Sequence, residues 1–89
     1  MTYYVYLIVS KHKKNKIISY VGYTNNLTNR IILHNTNKGA KFTRGRRWEL
    51  IFFKKFSSKS KAMKYEYLLK NNYKLRQKIK YENFNTSSI

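Results

Sequence analysis

Two apolar segments near the start of the chain, joined by a short basic stretch, constrain the fold more than any other feature. Residues 3–9 and residues 17–23 are both dense in β-branched and aromatic side chains, which is typical of buried strands. Residues 11–16 lie between them and form a polar, basic turn. Strands this close in sequence favour antiparallel pairing, so the two segments predict a β-hairpin.

The rest of the chain extends this hairpin into an α+β fold. After a turn with N-cap residue types (Thr24, Asn25 and Asn26), we expect a short helix (27–35) with Leu27 and Ile31 on one face. A basic loop (37–47) and a third strand (48–53) follow. Ser57 and Ser58 then cap a helix through Ala62, Tyr65 and Leu69, Asn71 and Asn72 interrupt the pattern, and a last helix spans residues 73–80. This order, β-β-α-β-α-α, predicts a small three-stranded antiparallel sheet flanked by helices. We expect one domain over residues 1–82 and a flexible C-terminal tail over residues 83–89.

The charge of the chain points to a polyanionic partner. The sequence has 20 Lys and Arg residues against 3 acidic residues, a formal net charge of +17. Because a folded domain this basic repels itself, a nucleic acid is the expected partner. A membrane surface is the rival. Binding to it needs a large amphipathic helix, whereas the helix around residues 62–69 is short and carries Tyr65 and Glu66.

The absence of cysteine removes several classes of protein. Without a thiol, the chain has no disulfide, no thiolate zinc site and no thiol nucleophile. Its apolar start has no basic segment before it, which is not the pattern of a signal peptide. No run of about 18 apolar residues predicts a membrane span. We therefore expect an intracellular protein, of a cytoplasm or a nucleus, that does not enter a membrane.

Two tyrosine tripeptides lie on the two strands of the predicted hairpin. They are Tyr4-Val5-Tyr6 and Tyr20-Val21-Gly22. This arrangement resembles the GIY-YIG nuclease family, whose two namesake tripeptides sit on neighbouring strands of one hairpin. The match covers residues 3–80 and continues, in order, through Arg30, His34, Asn35, Gly39-Ala40, Thr43, Trp48-Glu49-Leu50 and Glu66.

The sequence is most similar to the compact branch of that family. This branch includes small bacterial stand-alone domains and the nuclease subunit of a eukaryotic structure-specific endonuclease. Tyr4 stands where the family has its first glycine, and Val5 takes the middle position, whereas the final tyrosine of the motif is kept as Tyr6. The eukaryotic relatives carry a cysteine-rich zinc domain after the nuclease. No zinc domain is expected here, because the chain has no cysteine.

The resemblance implies a catalytic set of Tyr6, Tyr20, Arg30, His34 and Glu66. Arg30 and His34 are one helical turn apart, so both side chains lie on one face of the helix. The guanidinium of Arg30 suits binding of the scissile phosphate, and the imidazole of His34 can move protons near neutral pH. Tyr6 is the expected general base, and a nearby metal-bound water, Arg30 and a strong positive field are expected to lower its pKa from about 10. Tyr20 is expected to orient the water or relay the proton. The opposite assignment of the two tyrosines stays open. Without the motif, either one is an ordinary core residue of a hairpin.

The metal ion and the DNA have their own predicted contacts. Glu66 is the expected ligand of one Mg²⁺ or Mn²⁺ ion, because a magnesium site typically uses one or two carboxylates with water and phosphate. The alternative for Glu66 is a surface ion pair with Lys70 at i,i+4. Gly22 is expected to allow a bend or a close backbone approach. The residues expected to contact phosphates without reading bases are Lys38, Lys41, Arg44, Arg46 and Arg47.

These residues together predict a metal-dependent DNA endonuclease that acts on branched, flap or nicked DNA in repair or recombination. The sequence leaves the oligomeric state and any scaffold or partner protein open, with a monomer favoured. The preference for irregular DNA is implied by the resemblance alone. The alternative is a catalytically silent nucleic-acid-binding module on the same fold. Such a module would have lost Arg30, His34 or Glu66, and all of them are present.

Overall fold

A three-stranded antiparallel sheet lies between one helix on one face and two helices on the other. The computed structural model describes residues 1–12 and 16–87 of the chain. Its elements, in order, are β1 (Tyr3–His12), β2 (Lys16–Thr24), α1 (Leu27–Asn35), a 3₁₀ turn (Lys41–Thr43), β3 (Glu49–Phe56), α2 (Lys59–Lys70) and α3 (Tyr73–Ser87). The predicted α+β fold and its order of elements are confirmed over these residues.

The first strand of the chain is the centre of the sheet, with β2 on one side and β3 on the other. Its pairing with β2 places Tyr6 opposite Gly22 and Ile8 opposite Tyr20. Its pairing with β3 has an irregularity between Leu7 and Ile8. Because side chains alternate along a strand and directly paired residues share a face, Tyr6, Ile8 and Tyr20 point to the same side of the sheet.

The face that carries Tyr6 packs against α1. Tyr6, Ile8 and Trp48 form a buried cluster, and Leu27 and Ile31 of α1 pack against it. The predicted apolar face of this helix is therefore confirmed. The packing holds the rest of α1, with its Arg and His, over the same side of the sheet as the two motif tyrosines.

The opposite face packs against α2 and α3. Val5 and Leu7 of β1 are buried there with Ala62 and Leu69 of α2 and Ile79 of α3. A domain of this size buries only about 60% of its unfolded surface, so both small cores are needed for stability.

Side-chain caps begin the helices. Asn26, Ser58 and Asn72 each accept a hydrogen bond from a backbone N–H in the first turn of α1, α2 and α3, at 3.1, 3.2 and 3.0 Å. The caps predicted at Asn26 and Ser58 are confirmed, and Asn72 caps α3 as well as interrupting the helical pattern. Within residues 1–12 and 16–87, no helix combines the length and the apolar character that crossing a bilayer requires.

All three strands are longer than predicted, and β2 is longer by one residue at each end. β1 continues to His12, so the start of the predicted turn is strand, and residues 13–15 of that turn lie outside the described residues. β3 ends at Phe56 rather than at residue 53, because residues 54–56 pair with residues 3–5 of β1. The sequence pattern did not indicate a strand here, because Lys54 and Lys55 are exposed and interrupt the apolar run.

The last helix extends beyond its predicted end at residue 80, because α3 continues to Ser87, into the segment predicted as a tail over residues 83–89. The chain has no proline and its 3 glycines all precede residue 46, so no strong helix breaker follows Asn72. The side-chain amide of Asn83 also donates to the carbonyl of Ile79 at 2.9 Å, one turn back. Residues 88 and 89 lie outside the described residues.

Candidate active site

A hydrogen bond between Tyr6 of β1 and His34 of α1 is the centre of the site. The Tyr6 Oη and His34 Nε2 atoms are 2.7 Å apart. Both residues are buried, with exposed fractions of 1% and 0%. The structure thus brings together a motif tyrosine and the predicted histidine, 28 residues apart in the chain, in direct contact inside the protein.

The second nitrogen of His34 fixes which way the protons point. His34 Nδ1 lies 2.9 Å from Thr43 Oγ1, and the Thr43 hydroxyl donates its single proton to the carbonyl of Ala40 at 2.9 Å. Thr43 therefore accepts a hydrogen bond from Nδ1–H of His34. A neutral imidazole with its proton on Nδ1 has a lone pair on Nε2, so the Tyr6 hydroxyl donates to His34.

Burial keeps both members of the pair neutral. Burial, together with the nearby charge of Arg30, lowers the pKa of His34 from 6.5 to about 4. Burial also raises the pKa of Tyr6 from 10.0 to about 12, although a side-chain hydrogen bond from Arg30 and its charge oppose that rise. In the protein alone, the pKa of Tyr6 is thus raised where a lowering was predicted, and the pKa of His34 lies below the predicted neutral range. The sequence does not show that these side chains are desolvated.

The stability of the protein is expected to depend on pH through His34. The folded state leaves His34 neutral down to about pH 4, whereas an unfolded chain protonates it below about 6.5, so the unfolded state binds more protons in between. The resulting stability is complete above pH 6.5 and is lost as pH falls to about 4, by roughly 3 kcal/mol in total.

Urea unfolding at several pH values measures this effect. A His34→Gln variant is expected to lack the part of the slope that His34 causes. If that variant does not fold, an NMR titration of the wild type is the second measurement, with a His12→Asn variant to assign the other histidine. A His34 ring that titrates above pH 6 in the folded protein would contradict the prediction.

Two glycines make room for the Tyr6–His34 pair. A Cβ atom on Gly22 would lie 2.3 Å from Tyr6 Oη and 2.6 Å from Tyr6 Cζ. A Cβ atom on Gly39 would lie 2.4 Å from His34 Nδ1. Gly22 of the second tripeptide must therefore lack a side chain, because the ring of Tyr6, from the first tripeptide, lies against the Gly22 backbone. The close approach predicted at Gly22 is this contact between the Tyr6 side chain and the backbone of β2.

A Gly22→Ala substitution is expected to destabilise the protein by about 3 kcal/mol and to break the Tyr6–His34 hydrogen bond. The reason is that the Tyr6 ring, which the added Cβ would displace, is 1% exposed, packed in a core cluster and hydrogen-bonded to His34. Gly45→Ala is the matched control. Gly45 has φ of +75° but no atom within 4 Å of an added Cβ, so it costs about 1 kcal/mol of backbone strain and leaves the site intact. Urea unfolding of both variants checks this, and equal stability of Gly22→Ala and wild type would contradict it.

Arg30 and Tyr20 complete the immediate surroundings of the pair. Arg30, one turn before His34 on α1, lies close enough to Tyr6 that its guanidinium opposes the rise in the pKa of that phenol. The Tyr20 ring meets the His34 ring edge-on, with centroids 5.2 Å apart. Arg30 and Tyr20 are both partly exposed, unlike Tyr6 and His34. The cluster therefore has a buried, hydrogen-bonded interior and an outer side that a phosphate can reach.

Glu66 of α2 lies within electrostatic reach of this cluster, since its charge contributes to the raised pKa of Tyr6. The alternative ion pair is present: Lys70 Nζ lies 3.7 Å from Glu66 Oε2, with side-chain exposed fractions of 48% and 19%. Glu66 is the more buried partner, and an exposed lysine at this distance contributes little. Among the described residues, no group of three or more His, Cys, Asp or Glu side chains could hold a metal ion.

The basic loop begins beside the site and is organised by its backbone. Asn37 has φ of +63° and Gly45 has φ of +75°, and the N–H of Gly45 donates to Asn37 Oδ1 at 2.7 Å. An open cleft of about 510 Å³ lies here, lined in part by Arg46 and Arg47. Lys38, Lys41 and Arg44 are exposed. Tyr4, at the motif position of the first glycine, lies edge-on to Phe53, with ring centroids 6.1 Å apart.

Several residues that hold the site in place have no predicted role. Asn35 clamps the start of β3: its Nδ2 donates to the Trp48 carbonyl at 3.1 Å and its Oδ1 accepts from the Trp48 N–H at 2.6 Å. The Trp48 indole N–H in turn donates to the Thr43 carbonyl at 2.8 Å. The order Asn35, Gly39-Ala40, Thr43, Trp48 was the signal, since each of these matched the family pattern.

Comparisons with known proteins agree with the geometry. Residues 2–81 match the family described as the GIY-YIG catalytic domain. The UPF0213 protein of Oceanobacillus iheyensis is 46% identical over 69 residues, which cover 76% of this chain and 76% of that protein. The UPF0213 protein of Staphylococcus haemolyticus is 46% identical over 79 residues, which cover 88% of this chain and 90% of that protein.

A solved structure is also similar to the chain. It is the solution NMR structure of a UPF0213 protein from Bacillus halodurans, which is 37% identical. The match covers 88% of this chain and 80% of the other, with a TM-score of 0.46.

Proposed function

Because the chain belongs to the GIY-YIG catalytic domain family, we propose that it is a metal-dependent endonuclease that hydrolyses phosphodiester bonds in DNA. The family membership confirms the resemblance and implies nuclease activity. The observation in this chain that carries the proposal is the buried Tyr6–His34 hydrogen bond, 2.7 Å long, with the charge of Arg30 close enough to lower the pKa of the same phenol. A phenol with a proton acceptor and a guanidinium nearby suits proton movement beside a phosphate.

The proton of the attacking water needs an acceptor. As the water oxygen bonds to phosphorus, Tyr6 Oη accepts the water proton and passes its own to His34 Nε2, 2.7 Å away. Because both transfers occur together, Tyr6 is never a free phenolate, which its pKa of about 12 would oppose. His34 is unprotonated near neutral pH, so its acceptor site is open. The bond to the leaving oxygen breaks with its electron pair on that oxygen, which takes a proton from a solvent water. The proton on His34 then returns to solvent through Tyr6.

The neighbouring residues hold this relay in register. Thr43 holds the proton of His34 on Nδ1 and so keeps the Nε2 lone pair toward Tyr6. Arg30 binds the scissile phosphate, and Tyr20 orients the water. Only 1% of Tyr6 is exposed, so the reversed order, with Tyr20 beside the water and Tyr6 behind it, is the second candidate. Phenylalanine variants of the two tyrosines separate these assignments.

Glu66 is the residue that would hold one Mg²⁺ or Mn²⁺ ion. A carboxylate oxygen is the donor that either cation prefers, and a single carboxylate with water and phosphate fits a one-ion site. When bound, the ion supplies positive charge against the phosphate.

We further propose that the enzyme prefers branched, flap or nicked DNA and acts in repair or recombination. The support is the kind of contact that the chain offers. Its net charge of +17 and the exposed Lys38, Lys41 and Arg44 suit phosphates, which carry no sequence information. Selection by such contacts follows the path of the backbone, and junctions and flaps differ from duplex in that path.

A cleavage assay tests both levels of the proposal. The purified protein is incubated with a labelled four-way junction, a flap, a nicked duplex and an intact duplex, with Mg²⁺, Mn²⁺ or EDTA. We expect metal-dependent cutting that is faster on the junction or flap. Equal rates on all substrates would remove the structure preference alone. Tight binding without cutting under either metal would replace the enzyme with a silent binding module.

A further inference from the structure

The ring of Phe42 is the one aromatic side chain of the basic loop, and it faces outward. Phe42 is 54% exposed, although the next residue, Thr43, is completely buried and bonded to His34. The two belong to one 3₁₀ turn, Lys41–Thr43. Because Thr43 is fixed from the inside, the turn holds the Phe42 ring at the surface.

Phe42 is the outermost ring of an aromatic cluster that reaches the candidate active site. It stacks on Tyr20 with centroids 6.1 Å apart and an interplanar angle of 21°, and it lies 6.2 Å from the Trp48 ring. Tyr20 in turn meets the His34 ring at 5.2 Å. An exposed aromatic ring is therefore supported from behind and lies two ring contacts away from the Tyr6–His34 pair.

Positive charge flanks this ring. Lys41 and Arg44 are exposed neighbours in the same turn and the residue after it. An aromatic ring among cationic side chains is the combination by which proteins bind single-stranded nucleic acid, with bases stacking on the ring and phosphates meeting the charges.

We propose that Phe42 is a stacking platform for an unpaired nucleobase next to the bond that is cut. The proposal deepens the proposed function, on which its reference to cutting rests. A base inside a continuous duplex has both of its faces covered, whereas a base at a flap, junction or nick can leave the stack. The platform thus names a physical source for selection of irregular DNA.

The simpler role for Phe42 is to cover Tyr20. Two variants distinguish the roles. Phe42→Leu keeps an apolar side chain over Tyr20 and loses the aromatic face, and Phe42→Trp keeps that face. Tyr81→Leu is the matched control, because Tyr81 is also an exposed aromatic residue, 69% exposed, but lies on α3.

Binding measured in EDTA at one fixed salt concentration tests the platform without any cutting. The probes are a single-stranded oligonucleotide and a flap that each contain 2-aminopurine, whose fluorescence is quenched by stacking, and an intact duplex. We expect Phe42→Leu to bind the single strand about 10-fold more weakly and to lose quenching, with duplex binding unchanged. Phe42→Trp and Tyr81→Leu should behave as the wild type.

Three results would overturn the platform. They are wild-type affinity and quenching in Phe42→Leu, equal weakening of Phe42→Leu on single strand and duplex, and the same losses in Tyr81→Leu. The outcome is separate from that of the cleavage assay. A protein that cuts nothing but shows the Phe42-dependent binding would refute the nuclease and keep the platform, and the reverse result would refute only the platform.

Discussion

A Glu66→Gln protein is expected to bind DNA at least as tightly as the wild type and to cut it about 10³-fold more slowly. Glutamine has nearly the size of glutamate, so the packing of α2 should not change. The substitution removes the charge that would hold a divalent cation, and charge stabilisation by such an ion is worth several kcal/mol in the transition state. Binding should persist, because removing a negative charge does not weaken the attraction of a basic protein for a polyanion.

The rest of the chain offers little to replace Glu66. The sequence has 3 acidic residues, and the other two are Glu49, exposed on β3, and Glu82, exposed on α3. A rate measured at increasing Mg²⁺ and Mn²⁺ therefore should not recover. Glu49→Gln is the matched control and should cut as the wild type does.

Lys70→Gln separates the metal role from the ion pair that is seen in the structure. If Glu66 acts only through its contact with Lys70, both variants should lose the same activity. If Glu66 holds the metal, Lys70→Gln should keep most of the rate, since the ion pair is 3.7 Å long and half exposed on the lysine side. Full cutting by Glu66→Gln in Mg²⁺ would show that the metal ligand is wrongly assigned.

The parts of the fold that the sequence predicts well are those with a local signature. The two strand segments, the Asn26 and Ser58 caps and the apolar face of α1 follow from spacing and residue type within a few positions. The end of α3 and the extra length of β3 do not. Helix α3 continues beyond its predicted end because no proline or glycine follows to stop it. Strand β3, at the edge of the sheet, continues because Lys54 and Lys55 pair with residues of β1.

The candidate site divides in the same way. Its main residues could be named from the motif, because Tyr6, Tyr20, Arg30 and His34 occupy positions that the strand and helix periods place on one side of the sheet. Their protonation states could not be predicted, since these depend on burial by residues from other elements. Burial raises the pKa of Tyr6 to about 12, where a lowering was expected, and lowers the pKa of His34 to about 4, where a value near neutral was expected.

The supporting contacts were also beyond the sequence. Thr43 selects the tautomer of His34, and Gly39 lets the His34 ring approach the loop. Neither residue belongs to a periodic or charged sequence pattern that would have predicted its role. Both contacts join residues from α1 to a loop with its own irregular backbone. Such contacts become visible only when the chain is folded, which is why glycine and threonine positions gave no chemical signal of their own.

A Tyr6→Phe protein is expected to lose about 10²- to 10⁴-fold in cutting rate, the usual contribution of a positioned proton acceptor. The ring still fills its place between Gly22 and His34, so DNA binding should remain. The cost to folding is a different one. Without the phenol, the buried Nε2 of His34 has lost its donor, which costs about 1–3 kcal/mol of stability. Urea unfolding and the single-turnover cutting rate measure the two losses separately.

Tyr20→Phe is the matched variant, because it removes the same atom from the other motif tyrosine. Tyr20 lies against the His34 ring edge-on and is partly exposed, so its hydroxyl is not needed to satisfy a buried nitrogen. If Tyr6 relays the water proton, Tyr20→Phe should slow cutting less than Tyr6→Phe and leave stability nearly unchanged. A larger loss in Tyr20→Phe would place Tyr20 beside the water. Tyr6 would then be the residue that passes its proton inward, because the hydrogen bond to His34 gives that phenol a proton acceptor in either order.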